Sequence, residues 1–340
     1  MVCKKGFVKK LALVAKDNDD GRRLDRILRK ALPDLPLSAL HRLLRKEKVL
    51  VNGKTAHGAD RIPAGALIEL PAEEAEAPLN KKQPIQKQYK EKLDILREGS
   101  GLLILNKPVG MAVHGGKNSA CNLAKLVEEY LKGKISPSLS FRPGPLQRLD
   151  KPSSGIVVFS LNLNSARWFS SLLRERKIRK HYLAILEGKL QQSEIWEDML
   201  FRDKEAQKTY ISEIGTDTGK GRNAMTRVIP IAWAERNGAA YTFAKLEIET
   251  GRTNQIRAQA ARHGYPLAGD RKYGGQLFTR DTSSSFFLHA AELELPVGPA
   301  PNPPIIYNIS SELPKTIKAP LPGEFAQTLK ELFGILEYNG

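Results

Sequence analysis

The segment around Asp150 places a carboxylate between two cations, Arg148 and Lys151, just before a turn and an apolar run. Residues 152–155, Pro-Ser-Ser-Gly, are typical of a turn, and the β-branched residues within 156–161 predict a buried strand. A carboxylate held at the entrance to a strand can serve as a nucleophile or as a proton acceptor. An ordinary Asx-type turn before a strand would use the same residue types, so these residues alone leave both interpretations open.

Two further segments carry an aromatic and a cationic side chain that could contribute to a functional site. Residues 181–188 predict a strand that contains Tyr182, whose phenol ring can stack on any base. Residues 251–257, Gly-Arg-Thr-Asn-Gln-Ile-Arg, lead into a short helix and supply Arg252. Core packing for Tyr182 and a structural ion pair for Arg252 are the alternatives to a functional role.

These segments resemble the motifs of the RluA-type RNA pseudouridine synthases. The pattern Arg-Leu-Asp-x-x-Ser-Ser-Gly before an apolar strand resembles the motif whose aspartate performs the chemistry in that family. Residues 182–184 resemble its Tyr-x-Ala motif, and residues 251–257 resemble its Gly-Arg-Thr-His-Gln-Ile-Arg motif. Residues 106–116 resemble a further motif of the family. Two positions depart from the pattern, because Gln147 and Asn254 stand where the family usually has histidine.

The resemblance implies that the protein isomerises uridine to pseudouridine in RNA and that Asp150 is catalytic. In this reaction the N1 glycosidic bond breaks, the uracil rotates, and C5 bonds to the same sugar carbon. Attack on C1′, attack on uracil C6 and abstraction of a sugar proton all remain open for the aspartate. Nothing is consumed, so the reaction requires no metal, nucleotide or redox cofactor. Two cysteines and six histidines without ligand spacing fit that expectation.

The other predicted site residues follow from this chemistry. A guanidinium favours the ionised form of a nearby carboxyl group, and Arg252 is the predicted catalytic partner of Asp150. The target nucleotide must be flipped out of folded RNA, so Arg148 is predicted to contact phosphate or fill the vacated space. Tyr182 is predicted to stack on the flipped uracil. Two residues complete the predicted substrate-binding set: Asn254 and Arg257.

The net charge independently favours a polyanionic partner. Among 340 residues, 54 lysines and arginines face 37 aspartates and glutamates, giving a formal charge of +17 and a pI near 9.7. No apolar run approaches the roughly 20 residues that span a bilayer, and the N-terminus lacks the pattern of a secretory signal. We therefore expect a cytoplasmic monomer that binds RNA and no membrane. The resemblance is strongest to RluC-type enzymes, which implies large-subunit ribosomal RNA or a ribosome-assembly intermediate as partner.

The predicted fold class is α+β, with a mixed, largely antiparallel pseudouridine synthase sheet, peripheral helices and a small N-terminal domain. Residues 18–71 resemble an S4 RNA-binding domain, with two amphipathic helices followed by a Val-Asn-Gly hairpin and a strand. Residues 72–92 predict a linker, and residues 93–340 the catalytic domain. Four cations of the small domain are predicted to bind RNA: Arg42, Arg45, Lys46 and Lys48.

Two other functions fit parts of the sequence. A catalytically silent RNA-binding or ribosome-assembly protein on the same scaffold is favoured by the departures at Gln147 and Asn254. Four retained motif residues favour an active enzyme: Arg148, Asp150, Tyr182 and Arg252. An RNA glycosidase would require a second carboxylate as proton donor, and no paired-acid motif accompanies the aspartate.

Overall fold

A computed structural model describes residues 10–75, 92–115, 121–135, 138–203, 205–211, 221–276, 286–296 and 313–338. Contacts within the chain divide it into two compact units. Unit 1 comprises Met1–Lys90, Glu128–Gly144 and Leu161–Asn164, and unit 2 comprises Glu91–Val127, Pro145–Ser160 and Ser165–Gly340. Two segments assigned by sequence to the catalytic domain therefore group with the N-terminal residues.

Unit 1 combines short strands with two amphipathic helices. Its N-terminal elements are β1 (Lys10–Val14), β2 (Arg22–Arg23), α1 (Leu24–Ala31), α2 (Leu37–Arg45), β3 (Leu50–Val51), β4 (Lys54–Thr55), β5 (Arg61–Ile62), β6 (Leu67–Pro71) and α3 (Ala72–Ala75), with a 3-10 turn at Asp17–Asp19. Apolar residues of both helices at helical spacing are buried in one cluster. The Asn52–Gly53 turn joins β3 to β4 as predicted, with positive φ at both residues.

The N-terminal boundary predicted at residue 18 is too late. Strand β1 pairs antiparallel with β6, with Leu11 opposite Leu70 and Leu13 opposite Ile68. Leu11 and Leu13 pack against the core of unit 1, while the alternate residues of β1, at positions 10, 12 and 14, face outward. The sequence signal was weak because β1 is short and its first residue belongs to a lysine pair. Of the predicted linker, residues 72–75 form α3, and residues 76–91 lie outside the described part of the chain.

The remaining elements follow in chain order. They are β7 (Ile95–Gly99), β8 (Leu102–Lys107), α4 (Leu123–Leu131), β9 (Gly144–Pro145), β10 (Ser154–Ser160), α5 (Leu163–Arg174), β11 (Arg179–Glu187), β12 (Glu194–Asp203), β13 (Lys208–Ile211), β14 (Arg222–Arg236), β15 (Ala239–Ile248), α6 (Gln255–Arg262), β16 (Leu288–Glu294), β17 (Thr316–Lys318) and α7 (Gly323–Phe333). A second 3-10 turn spans Arg271–Tyr273.

Unit 2 is organised around one large sheet. Its strand order is β13-β12-β14-β15-β11-β16-β10-β8-β7, with β17 on β16 and β9 on β10. Strand β10 pairs parallel with β16, whereas β8, β11, β12, β14, β15 and β17 form antiparallel pairs. The predicted mixed, largely antiparallel sheet with peripheral helices is confirmed. The Asn237–Gly238 hairpin between β14 and β15 is also present.

The two faces of the sheet pack against different helices. Along β11, Tyr182 and alternate residues join a cluster that includes Ile256 of α6. Leu183 and its alternates join a second cluster with Phe325 of α7. The α6 face therefore carries Tyr182. Within the described residues, no helix combines the length and apolar character required to cross a membrane.

Candidate active site

A buried lysine stabilises the loop that carries Asp150 through hydrogen bonds. Lys107, at the end of β8, has no exposed surface and donates from Nζ to the carbonyl oxygens of Pro108 (2.9 Å), Met111 (2.7 Å) and Lys151 (3.2 Å). Burial lowers the pKa of Lys107 to about 7, although the charge of Asp150 opposes the change. All three donors of this ammonium are thus used to hold the loop.

The turn after Asp150 requires a glycine. Gly155 has a φ of +105°, and a Cβ atom added there would lie 2.3 Å from the carbonyl oxygen of Ala290. The absence of a side chain lets β10 approach β16 closely where the two strands run parallel. The Asp150 loop is thereby fixed at the start of a fully buried strand, as the sequence pattern predicted.

Helix α6 is locked to the sheet by two buried glutamines. Gln255 accepts a hydrogen bond from Thr250 Oγ1 (2.7 Å) and donates to Thr226 Oγ1 (3.0 Å). Gln259 accepts from the same Thr226 hydroxyl (2.7 Å) and donates to the carbonyl oxygen of Trp196 (2.9 Å). These bonds join the helix to β12 and β14, so they fix the direction of the side chains that α6 presents.

Arg257 on α6 is the ionic partner of Asp150. Its Nη1 donates to Asp150 Oδ2 at 3.0 Å, while Nε and Nη2 bind Asp270 at 2.7 and 2.8 Å. The guanidinium also lies 4.7 Å from the ring centre of Tyr273 and 4.5 Å from that of Phe286. Burial opposes its charge, but the bonds and charges of both aspartates outweigh burial and raise the pKa of Arg257. The arginine is therefore held rigidly as a cation.

The prediction that Arg252 pairs with Asp150 is wrong. Arg252 precedes the helix, and its Nε donates to the carbonyl oxygen of Asn223 at 3.3 Å. It still lines the cavity that contains Asp150. The two arginines belong to one motif, but only Arg257 projects from α6 toward the aspartate. Arg257, which the sequence suggested for substrate binding, forms the ion pair with Asp150 that was predicted for Arg252.

Asn254 lies against the catalytic candidate. Its amide nitrogen lies 3.0 and 2.9 Å from the two oxygens of Asp150 in the orientation that pairs donors with acceptors. In that orientation its amide oxygen accepts from Tyr273 Oη at 3.1 Å. Asn254 and Arg257 are three residues apart, about one helical turn, so both face the same carboxylate.

The carboxylate opens onto a cavity of about 700 Å³, a size that suits a small ligand or a single nucleotide. The Asp150 side chain is 26% exposed, and Tyr182, which is 8% exposed, lines the same cavity. Burial, with a further contribution from the charge of Asp150, raises the pKa of Tyr182, so its phenol stays neutral. Arg148 lines the cavity as an exposed cation. The structure thus brings together Asp150, Tyr182, Arg148, Arg252, Asn254 and Arg257.

Sequence reasoning did not single out Lys180 as a site residue. It lines the cavity, is only 9% exposed, and has its pKa lowered to about 8 by burial. Its Nζ lies 3.2 Å from the place where a Cβ of Gly251 would be. Lys180 and Tyr182 are two residues apart on β11, so strand alternation predicts that they share a face. That spacing could have identified the lysine from the sequence.

Gln147 does not contact Asp150 among the hydrogen bonds of the described residues. Its Nε2 donates to the carbonyl oxygen of Ile156 at 3.3 Å, across the turn that precedes β10. The departure from histidine at this position therefore concerns the support of the loop. It leaves the bonds that Asp150 accepts from Arg257 and Asn254 unchanged.

A group of potential metal ligands occurs on the other face of the sheet. His181 Nε2 lies 2.8 Å from Glu294 Oε1, and Glu292 is close to both. Because His181 alternates with Tyr182 on β11, it points away from the cavity. These residues are not part of the Asp150 site.

The four cations predicted to bind RNA in unit 1 are all exposed. Lys48 forms a salt bridge with Glu74. The pKa of Glu74 is lowered by the hydrogen bond from Lys48 and by the nearby charges of Lys48, Arg42 and Lys46. An intramolecular carboxylate therefore already engages Lys48, and its own charge partly offsets those of Arg42 and Lys46.

Comparison with known proteins identifies the class of protein that this fold and site define. Residues 101–262 match the family described as RNA pseudouridylate synthase. A ribosomal large subunit pseudouridine synthase C from Escherichia coli O6:H1 is 31% identical over 307 residues, which cover 84% of this chain and 88% of that protein. This chain belongs to the RNA pseudouridylate synthase family, and the predicted enzyme class is confirmed.

Other relatives agree over most of the chain. The ribosomal large subunit pseudouridine synthase C of Vibrio vulnificus is 30% identical over 327 residues, covering 91% of this chain and 96% of the relative. Among solved structures, human RNA Pseudouridylate Synthase Domain Containing 4 has a TM-score of 0.54 at 21% identity, covering 70% of this chain and 93% of that chain. Human RNA Pseudouridylate Synthase Domain Containing 1 has a TM-score of 0.51 at 21% identity and covers 75% and 100%. Both structures share the fold.

Proposed function

We propose that this protein isomerises uridines to pseudouridine in large-subunit ribosomal RNA, with Asp150 as the catalytic residue. The observation that carries the proposal is a partly exposed carboxylate, bonded by Arg257 and Asn254, at the wall of a cavity that Tyr182 also lines. The names of the relatives from Vibrio vulnificus and Escherichia coli support the ribosomal substrate.

The residues that line the cavity have different roles in the proposed reaction. Isomerisation breaks the N1–C1′ bond and forms a C5–C1′ bond, and it moves one proton from C5 to N1 in net terms. Asp150 attacks C1′, attacks uracil C6 or abstracts a sugar proton, and each route needs the ionised carboxylate. Arg257 keeps a positive charge beside it without becoming a proton donor, because guanidinium groups do not titrate near neutral pH.

The neutral ring of Tyr182 stacks on the flipped uracil. Its buried hydroxyl stays protonated, so it adds no second negative charge beside Asp150. Arg148, Arg252 and Lys180 surround the cavity with cations that meet the RNA backbone. Arg148 also fills the space left by the flipped nucleotide, since a planar guanidinium stacks between bases.

The first unit binds RNA through an S4-like domain, and the protein acts as a cytoplasmic monomer. Two helices followed by a hairpin and a strand, with Arg42, Arg45 and Lys46 on exposed positions, support the RNA-binding role. The net charge of +17 supports the same role. Sedimentation of the protein with and without RNA measures both the oligomeric state and the stoichiometry of the complex.

The direct test incubates the purified protein with uridine-labelled transcripts of large-subunit ribosomal RNA, small-subunit ribosomal RNA and transfer RNA, followed by nuclease digestion. Pseudouridine formed preferentially in the large-subunit transcript supports the proposal. Free uracil would indicate a glycosidase instead. Binding without either product would indicate a catalytically silent RNA-binding protein, the alternative that the departures at Gln147 and Asn254 favoured.

A further inference from the structure

One backbone N–H group fixes a chain of hydrogen bonds that ends at Asp150. The amide of Thr209 on β13 donates to Tyr273 Oη at 2.9 Å. A backbone N–H can only donate, so the Tyr273 oxygen accepts there, and its own proton is free for a different acceptor. Asn254 Oδ1 lies 3.1 Å from the same hydroxyl oxygen and provides that acceptor.

The orientation of the Asn254 amide follows from the hydroxyl. With Oδ1 bound to Tyr273, the Nδ2 group faces both oxygens of Asp150, at 3.0 and 2.9 Å. The opposite orientation would place an amide oxygen against a carboxylate, where neither group can donate. Asn254 also has a left-handed backbone, with φ 52° and ψ 27°, a conformation that asparagine adopts more readily than most residues.

We infer that Asn254 is a positioning residue, which Tyr273 and the Thr209 amide orient so that it holds the Asp150 carboxylate in its reactive geometry. Asp150 then has two fixed donors, Arg257 Nη1 on one oxygen and the Asn254 amide across both. This inference rests on the proposed function of Asp150. It assigns to Asn254 an action through the aspartate, in place of the contact with substrate that the sequence suggested.

The surroundings of Asn254 make its donor independent of pH. The described contacts place Asp150, Tyr273 and the buried cation Arg257 around it, and Lys208 lies 5.1 Å from the ring centre of Tyr273. An amide does not titrate, whereas a histidine at this position would change charge within the neutral range. The asparagine thus supplies the donor across the neutral range without adding a charge to the site.

Three variants separate positioning from general structural support. Asn254→Asp keeps the size of the side chain but sets two carboxylates about 3 Å apart, which disfavours the ionised pair. Asn254→His keeps a donor for Asp150 and an acceptor for Tyr273. Tyr273→Phe keeps the ring beside Arg257 and removes only the hydroxyl. Asn237→Asp, in the β14–β15 turn with φ 53°, is the matched control for an Asn→Asp change in a left-handed backbone.

Single-turnover rates of pseudouridine formation at saturating RNA, with RNA Kd and thermal unfolding measured alongside, give the test. We expect Asn254→Asp to lower the rate by at least about 100-fold at pH 7 and Tyr273→Phe by about 10-fold, with Kd changed by less than about threefold. Asn254→His should stay within about 10-fold of wild type at pH 8 and acquire an additional pH-dependent limb in the neutral range, where histidine titrates.

The energetic coupling between Asn254 and Tyr273 provides the second readout. The double variant Asn254→Ala/Tyr273→Phe should be no slower than Asn254→Ala alone, because Tyr273 acts only through the amide. Additive losses in the double variant, or an Asn254→Asp rate equal to that of Asn237→Asp, would overturn the inference. A wild-type protein that forms no pseudouridine would instead contradict the proposed function, so the two failures are distinguishable.

Discussion

Two carboxylates, Asp19 in the first unit and Asp150 in the second, have opposite surroundings. Asp19 is fully buried, and its oxygens accept five hydrogen bonds, from the hydroxyl groups of Ser138 and Ser140 and from the backbone amides of Lys16, Leu139 and Ser140. Asp150 is partly exposed and accepts bonds from Arg257 and Asn254 on one side, with a cavity on the other. Asp19 is surrounded by hydrogen-bond donors of the fold, while one side of the Asp150 carboxylate is open to a substrate.

The negative charges of Asp19 and Asp150 are also stabilised in different ways. Burial tends to raise the pKa of Asp19, but the bonds from Ser140, Lys16, Ser138 and Leu139 outweigh it, and the pKa is lowered. Dipoles from residues far apart in the sequence therefore stabilise this charge. Asp150 instead relies on the full charge of Arg257, which Asp270 holds in place. A satisfied carboxylate stabilises structure, and one with an open side can do chemistry.

Two buried lysines repeat the contrast. Lys107 donates to three carbonyl groups of the loops around Asp150. Lys180 is nearly as buried, but no carboxylate among the described residues pairs with it, and it lines the cavity. Lys107 therefore holds the loops around the site, whereas Lys180 faces the cavity.

The largest effect after Asp150 itself is expected from the arginine that serves both aspartates. Arg257→Met should lower the single-turnover rate by at least about 100-fold and cost about 3 kcal/mol of unfolding free energy, because it leaves buried Asp270 without its cation. Arg252→Met, the matched control from the same motif, should weaken RNA binding but change the rate at saturating RNA by less than about 10-fold. Equal rate losses in both variants would show that Asp150 does not depend specifically on Arg257.

Asp19→Asn should lower stability and leave the reaction rate almost unchanged. The amide replaces one acceptor with a donor group that must face backbone amides and hydroxyls, so we expect a loss of about 2–4 kcal/mol in unfolding free energy. Denaturant unfolding of the full chain measures it, with Asp20→Asn, an exposed neighbour, as control. The rate per folded molecule at saturating RNA should stay within about threefold of wild type. A large loss of that rate without a loss of stability would contradict the structural role of Asp19.

The pH dependence of RNA binding tests the contribution of Lys180. The pKa of Lys180 is about 8 in the free protein, and a bound phosphate favours the charged form. Its contribution to affinity is therefore complete below pH 8 and declines as the pH rises through and above that value. Kd should increase by up to about 10-fold between pH 7 and pH 9.5, and Lys180→Met should weaken binding at pH 7 and flatten this rise. An unchanged pH dependence in that variant would mean that the lysine meets no phosphate.

The smallest effects concern the exposed cations of the first unit. Arg45→Ala should weaken RNA binding by about two- to fivefold and reduce its salt dependence, whereas Lys48→Ala should change it less, because Glu74 already engages Lys48. Titrations at two salt concentrations compare them. A larger loss for Lys48 would indicate that the salt bridge opens when RNA binds.

The sequence allowed the sheet type, the Asn-Gly hairpins and the Asp150 loop to be predicted, because turn residues and strand alternation are local signals. The resemblance to the Tyr-x-Ala motif also led to Tyr182, which lines the cavity. It did not identify the partner of Asp150, since choosing between Arg252 and Arg257 depends on α6 beginning at Gln255. The extent of the first unit was equally hidden, because the bonds of Asp19 to Ser138 and Ser140 join residues about 120 positions apart.

Asn254 shows what a departure from a motif can and cannot reveal. The sequence showed that asparagine stands where the family usually has histidine, which favoured a silent protein. The structure gives the amide a contact with each oxygen of Asp150 and a fixed orientation through Tyr273. The direction of the hydrogen bonds between Tyr273, Asn254 and Asp150 depends on the backbone amide of Thr209. Thr209 lies 45 residues from Asn254 in the chain and belongs to no motif.

The most direct test of the central claim is the single-turnover rate of Asp150→Asn at saturating RNA, measured as pseudouridine in the digest. The substitution keeps the shape of the side chain and removes the charge that each proposed route requires. We predict a rate at least about 1,000-fold below wild type, with RNA Kd within about threefold and the cooperative thermal unfolding retained. A folded Asp150→Asn protein that forms pseudouridine at the wild-type rate would contradict the assignment of Asp150 as the catalytic residue.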